Sequence, residues 1–298
     1  MASPSSTSTD GPPNIFDAGR RAARLRRAQS SFASADFLHR RAAENAVNSL
    51  EVILREFKAP VDLSPHTGIF AEVLADSPAQ ARVAQIATPS SIEERAAPGA
   101  NFLPIEEGQV DLVVNLLGLH WANDLPGALT QIRRALKPDG LFFGSLFGAA
   151  TLKELRASLT QAELEINGGA QARVSPFADG YDGAGLLQRA GFALPVTDVD
   201  RFTVRYGNPL NLMRDLRAMG ETNVLAGPIR PLSRQVLGRA LELYVQNHAE
   251  PDGRLPATFE MVHLAGWAPH ESQQKPSKRG SAKASLAEAL HPRGNGAG

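Results

Sequence analysis

The chain contains no cysteine. Disulfides, thiolate zinc sites, iron–sulfur ligation and a cysteine nucleophile are therefore excluded. Aromatic residues are scarce, at 6% of the chain against 43% hydrophobic overall. A core can form, but mainly from Ala, Leu and Val. Neither sign of charge is in excess, because 31 Lys and Arg balance 31 Asp and Glu. That argues against a broad nucleic-acid surface, although local clusters remain allowed. Long apolar runs are also missing. None reaches the ~18–20 residues of a spanning helix, and no signal-peptide apolar core follows Met1.

What is present suits one large α/β domain or two small ones within 298 residues. Residues 1–14, rich in Ser, Thr and Pro, read as a disordered start. IFDAGRRAARLRRAQ (15–29) then gathers Arg20, Arg21, Arg24, Arg26 and Arg27 into a basic patch. A solvated helix face is the plain reading. A mitochondrial transit peptide is a second, weakened by Asp10 and Asp17, and a docking patch for an acidic partner is a third. From Ala33 to Phe57 apolar residues recur at helical spacing, which predicts one long amphipathic helix.

Strand and helix signals then alternate. APVDL (59–63), ARVAQIA (81–87), VDLVVNLLGL (110–119) and LFFGSLF (141–147) read as strands. Helical patterns at 69–76, 91–96 and 125–136 separate them, and KPDG (137–140) reads as a turn. Apolar strands between helices indicate a parallel sheet covered on both faces. Helices are expected at 151–166, 183–192, 208–220 and 233–248, with strands at 195–206 and 257–267. The main domain spans 15–267, with a helical insertion at about 207–250 and an extended tail over 268–298.

In doubly wound sheets the ligand sits beyond the carboxyl ends of the strands, and glycines after the first strand let the backbone approach it. Here that loop runs Asp62-Leu63-Ser64-Pro65-His66-Thr67-Gly68, with Gly68 its only glycine. Pro65 cannot imitate a flexible glycine, because its φ is fixed and it lacks an N–H. The second strand ends in Gln85-Ile86, where a carboxylate would hold ribose hydroxyls. Asp62 either anchors a ligand or simply ends a strand and caps the next helix. His66, His120 and Asp124 offer the residue types of a two-His-one-carboxylate metal set, but no tight ligand spacing supports it. No metal site is assigned.

LHWANDLPGALTQIRRALKPDGLFFGSLFGAATLKELR (119–156) resembles class I S-adenosylmethionine-dependent methyltransferases. More narrowly, the chain resembles the family of mitochondrial complex I assembly factor 5 and its bacterial relatives. IFD with the following arginines, SPF (175–177), MGETN (219–223), LPATFEMVHLAGW (255–267) and HESQQKPSKRGSA (270–282) carry that match. The LKPDG turn is generic, whereas the tail segment is distinctive.

The resemblance implies a Rossmann-like, seven-stranded, mostly parallel sheet with an antiparallel last strand, in the order 3-2-1-4-5-7-6. It implies S-adenosylmethionine contacts at Asp62, Ser64, His66, Gly68, Gln85, Asn101, Phe102 and Leu116. The substrate side falls at His120, Trp121, Asp124, Thr151, Glu154, Arg156, Glu221 and His270, and the implied substrate is a peripheral-arm subunit of complex I. The chain departs from the family in the first loop, at Gln85, and at GANFLPI (99–105), where an acidic residue is usual. Three functions follow as alternatives: a methyltransferase-class enzyme modifying a protein, a non-catalytic assembly factor, and a small-molecule or acyl-carrier-protein O-methyltransferase. The implied location is the mitochondrial matrix for a eukaryotic chain and the cytoplasm for a bacterial one.

Overall fold

A computed structural model describes residues 14–96, 105–177, 182–228 and 230–274. Among these residues one sheet has the order β1-β2-β3-β5-β4. The strands are β1 (Pro60–Asp62), β2 (Val110–Leu116), β3 (Leu136–Phe147), β4 (Ala193–Tyr206) and β5 (Leu255–Trp267). β1, β2 and β3 run parallel, and β5 is antiparallel to both β3 and β4. Every residue of β2 is buried, because helices cover both faces.

One face packs on α2 (Phe37–Glu51), α3 (Ile69–Ala75), α6 (Lys153–Asn167), α8 (Pro209–Ala218) and α9 (Arg234–His248), through Leu38, Phe70, Leu155, Leu212 and Leu243. The other packs on α5 (Leu125–Ala135) and α7 (Gly183–Arg189), through Leu129, Ile132 and Leu187. α8 and α9 fall between β4 and β5 in the chain. Among the described residues no helix is long and apolar enough to cross a membrane.

Four expectations change. The helix expected over 33–57 is α2 alone, ending at Glu51, with Leu54 86% exposed. Arg82 ends it by donating to the carbonyls of Leu50, Glu51 and Ile53, satisfying groups that lack helical partners. The strand expected at 81–87 is mostly replaced. Ala81 and Arg82 end a 3₁₀ turn over Pro78–Arg82, and Val83 and Ala87 bridge to Phe57 and Val61.

KPDG does not separate helix from strand. It is absorbed into β3 as a bulge, with Asp139 at φ +63° and a register shift between Val110 and Leu112. The sheet therefore has five strands among the described residues plus the bridged edge segment, where seven strands were expected.

Residues 1–13, 97–104 and 275–298 lie outside the described residues, and with them the expected disordered start, Asn101, Phe102 and most of the tail.

Candidate functional site

The carboxyl ends of β1 and β2 meet α1 (Ala18–Ala28) and the loop after α8. α1 begins at Asp17, whose carboxylate caps it by accepting from the Arg20 amide. Arg21 lies on the same face as Leu25 and Ala28 and is turned inward. Its side chain is 2% exposed. Nη2 donates to Glu221 Oε1 at 2.7 Å and Nη1 to the Gly220 carbonyl at 2.7 Å. The guanidinium carbon lies 5.0 Å from the Trp121 ring centroid, a cation–π distance.

The second Glu221 oxygen accepts from Trp121 Nε1 at 2.9 Å and from His120 Nε2 at 3.2 Å. Burial alone would raise the Glu221 carboxyl, but Arg21 and His120 override it and hold it well below the usual carboxylate range. Burial lowers His120 despite the opposing pull of Glu221, so the imidazole is neutral at pH 7. The solvated face expected for the basic segment is thus wrong at Arg21. The 3.6-residue period that sets Arg21 in register with Leu25 and Ala28 was the signal for it.

Trp121 and Glu221 also line a mostly apolar cavity of about 270 Å³, walled by Leu152, Leu155, Leu159, Phe177, Met213 and Leu216. Phe177 packs edge-on to Trp121 and His120. Leu117 and Leu152, at the rims of β2 and α6, both hold left-handed backbone (φ +54° and +56°). Such strain costs about 1–3 kcal/mol per residue and clusters at functional sites.

The loop after β1 is bonded to its own protein. Asp62 is buried, and its carboxyl accepts from the Ser64 amide at 2.9 Å. Burial pushes that carboxyl up to about 6, against the pull of Ser64 and Arg95. Ser64 Oγ accepts from the Leu116 amide at 2.8 Å. Arg95, on α4 (Ile92–Ala96), donates to the Pro65 carbonyl and Thr67 Oγ1. A Cβ placed on Gly118 would lie 3.0 Å from Pro65 Cδ, so the two loops touch. Gly68 takes φ +104°, with open space where its Cβ would be.

His66 Nε2 donates to the Met219 carbonyl at 2.7 Å and its ring stacks on Phe32. Behind it His39 is buried, and neither ring nitrogen has a partner. Burial lowers both imidazoles, His39 well below its ordinary value and His66 to about 4. An unpartnered buried polar group costs about 1–3 kcal/mol. His39→Leu is therefore expected to raise stability by about 1 kcal/mol at pH 7.5 in urea unfolding; a loss of that size would mean that the ring nitrogens are solvated.

Gln85 is exposed and lies midway along the edge segment. The Asp62 amide bonds to the Ala87 carbonyl, so Ala87 and Thr88 stand at the level of a ribose-holding acid. Neither carries a carboxylate. Among the described residues the fit to S-adenosylmethionine is incomplete: no carboxylate stands at the ribose position, and Asp62 Oδ1, Ser64 Oγ and His66 Nε2 bond within the fold.

His120, Trp121 and Glu221 are brought together. Asp124 caps α5, accepting from the Gly127 amide at 2.8 Å. Among the described residues no three His, Asp or Glu are placed to hold a metal, and His66, His120 and Asp124 do not assemble. Thr151 hydrogen-bonds to the Glu260 backbone, and Glu154 accepts from Thr258. Arg156 donates to the Ala149 and Thr151 carbonyls and lines a second cavity of about 510 Å³, which shares Phe177 and Arg173 with the first. His270 follows β5 next to Asp139, where Gln273 bonds to Asp139 Oδ1. That is the edge where β3 begins, opposite His120. Arg21, His39, Arg95 and Phe177 are the site neighbours that sequence reasoning missed.

Residues 61–144 match a family model described as a methyltransferase domain. The chain is 36% identical over 291 residues to "Arginine-hydroxylase NDUFAF5, mitochondrial" of Danio rerio, covering 92% of this chain and 89% of that one. The chain belongs to the NDUFAF5 family. The Homo sapiens protein of the same name is 38% identical over 291 residues, covering 92% of this chain and 83% of that one. Similarity to a malonyl-[acyl-carrier protein] O-methyltransferase of Halorhodospira halophila is shorter, 38% over 184 residues and 61% of this chain against 60% of that one. The NDUFAF5 alignment is long enough to take in both Arg21 and Glu221, which lie 200 positions apart, whereas the shorter one is not.

Proposed function

We propose that this NDUFAF5-family chain serves respiratory complex I assembly by binding and modifying an arginine of a peripheral-arm subunit. The supporting observation is the buried Glu221 carboxylate between Trp121 and His120, at the wall of an apolar cavity. A guanidinium is recognised by a carboxylate and an aromatic face together. The cavity's leucines and Phe177 accommodate the aliphatic stem and exclude water, which strengthens the charge contact. The arginine-hydroxylase relatives supply the reaction class, hydroxylation.

The methyltransferase-domain match supports a crevice of S-adenosylmethionine type at the carboxyl ends of β1 and β2. The inward-turned loop favours a second reading, an assembly factor that keeps the partner surface without this cofactor.

Two measurements decide. Calorimetry with S-adenosylmethionine is expected to show no saturable heat up to about millimolar ligand, where binding is worth only about 4 kcal/mol. Micromolar binding would overturn the loop reading. Mass analysis of the partner subunit after incubation with the chain, dioxygen and a two-electron reductant is expected to find one arginine carrying one added oxygen atom, the other oxygen atom of dioxygen leaving as water. An unmodified partner leaves the non-catalytic reading in place of the enzymatic one.

A further inference from the structure

We propose that Glu221, Trp121 and the Gly220 carbonyl form a guanidinium-recognition site whose present occupant is the chain's own Arg21, a surrogate for the arginine of a protein substrate. The inference rests on the reading that the substrate is an arginine side chain. Arg21 receives what a substrate guanidinium would need: a carboxylate oxygen at 2.7 Å, a carbonyl oxygen at 2.7 Å and an indole face at 5.0 Å. Glu221 and Trp121 line both this seat and the apolar cavity, so a side chain entering the cavity reaches the same carboxylate.

α1 is built to leave. Of its buried apolar residues Ala22, Leu25 and Ala28, the first two pack with Ile92 and Ala96 in a small cluster, and Phe16 at its start packs on Trp121 in another, both apart from the two that hold the sheet. Most of its other attachments are polar. The Asp17 amide donates to the Val224 carbonyl, and Arg20 donates to the carbonyls of Leu225 and Gly227. Arg24 loses solvent where it is buried and faces the like charge of Arg217 on α8, which opposes docking there. An incoming arginine replaces Arg21 with an equivalent set of contacts, so the buried carboxylate is never left unpaired.

The test titrates N-acetyl-arginine methylamide, read by tryptophan fluorescence and calorimetry. Arg21→Ala is expected to bind it at least about tenfold more tightly than the unaltered chain. Adding Glu221→Gln should abolish the gain, and the lysine analogue should not bind in its place. A folded Arg21→Ala with no gain overturns the proposal.

If Arg21→Ala does not fold, hydrogen exchange on the unaltered chain replaces it. An arginine-containing peptide in excess should speed exchange across residues 18–28, and unchanged exchange overturns the proposal. Arginine modification of the partner that persists while both probes fail would reject the surrogate role alone. Probe binding without any modification would reject the proposed enzymatic function alone.

Discussion

Glu221→Ala is expected to destabilise the fold by about 3–5 kcal/mol, the loss typical when one partner of a buried ion pair is removed. The guanidinium of Arg21, 2% exposed, would keep its charge with only the Gly220 carbonyl to receive it. Trp121 Nε1 and His120 Nε2 would lose their acceptor at the same time. Glu221→Gln preserves the shape and one acceptor oxygen, and should cost about 1.5–3 kcal/mol, the worth of hydrogen bonds to a charged group. Combining Arg21→Met with Glu221→Gln should cost less than the two single changes added together, because no unpaired charge remains. Urea unfolding of the parent, Glu221→Ala, Glu221→Gln, Arg21→Met and the double variant measures this. A loss below about 1 kcal/mol for Glu221→Ala, the range of exposed ion pairs, would mean that water reaches the pair.

Asp62→Asn is expected to stabilise the protein at pH 7.5, contrary to what replacing a cofactor anchor suggests. Burial raises the folded Asp62 from its ordinary 3.8 to about 6. A raised acid contributes stability that is fully present below 3.8 and is lost as pH rises through 6. The difference is about 3 kcal/mol at ~1.36 kcal/mol per pKa unit, an upper bound on the gain from the amide. Asparagine retains the oxygen that accepts from the Ser64 amide.

His66 has the opposite sign. Its folded value, lowered from 6.5 to about 4, gives stability present above 6.5 and lost as pH falls through 4. In the unaltered chain the two effects largely offset between pH 6.5 and 4, and the lowered His39 and His120 decide the net slope toward acid instability. Without Asp62 nothing opposes the histidines. Thermal midpoints from pH 4 to 8 should therefore fall more steeply toward acid in Asp62→Asn than in the parent. Parallel curves would mean that Asp62 is hydrated and titrates normally.

The parallel strands were readable because their apolar runs lie between helical periods; β1 and β2 fall within the expected segments, and β3 contains its own but begins five residues earlier. Failures came where distant residues decide the outcome. Nothing local at 51–57 says that Arg82 will cap α2 and cut the helical period short. KPDG has turn chemistry, and the structure uses it as a bulge because Asp139 and Gly140 are tied to Ala268 at the far end of β5. His120, Trp121 and Glu221 entered through family resemblance, yet their common bond to one carboxylate depends on two segments a hundred positions apart. Arg21 was read as surface charge because an arginine is rarely buried without a partner, and its partner lies 200 positions away.

β5 is the last strand among the described residues, yet it lies inside the sheet between β3 and β4. During synthesis β3 and β4 emerge with no strand joining them, and each keeps an unpaired edge until residue 267 has left the ribosome. The domain therefore completes its sheet by inserting a strand rather than by adding one at the rim. Such late, long-range pairing is slow, and it leaves edges open to other chains meanwhile. Completion of the sheet therefore waits on β5.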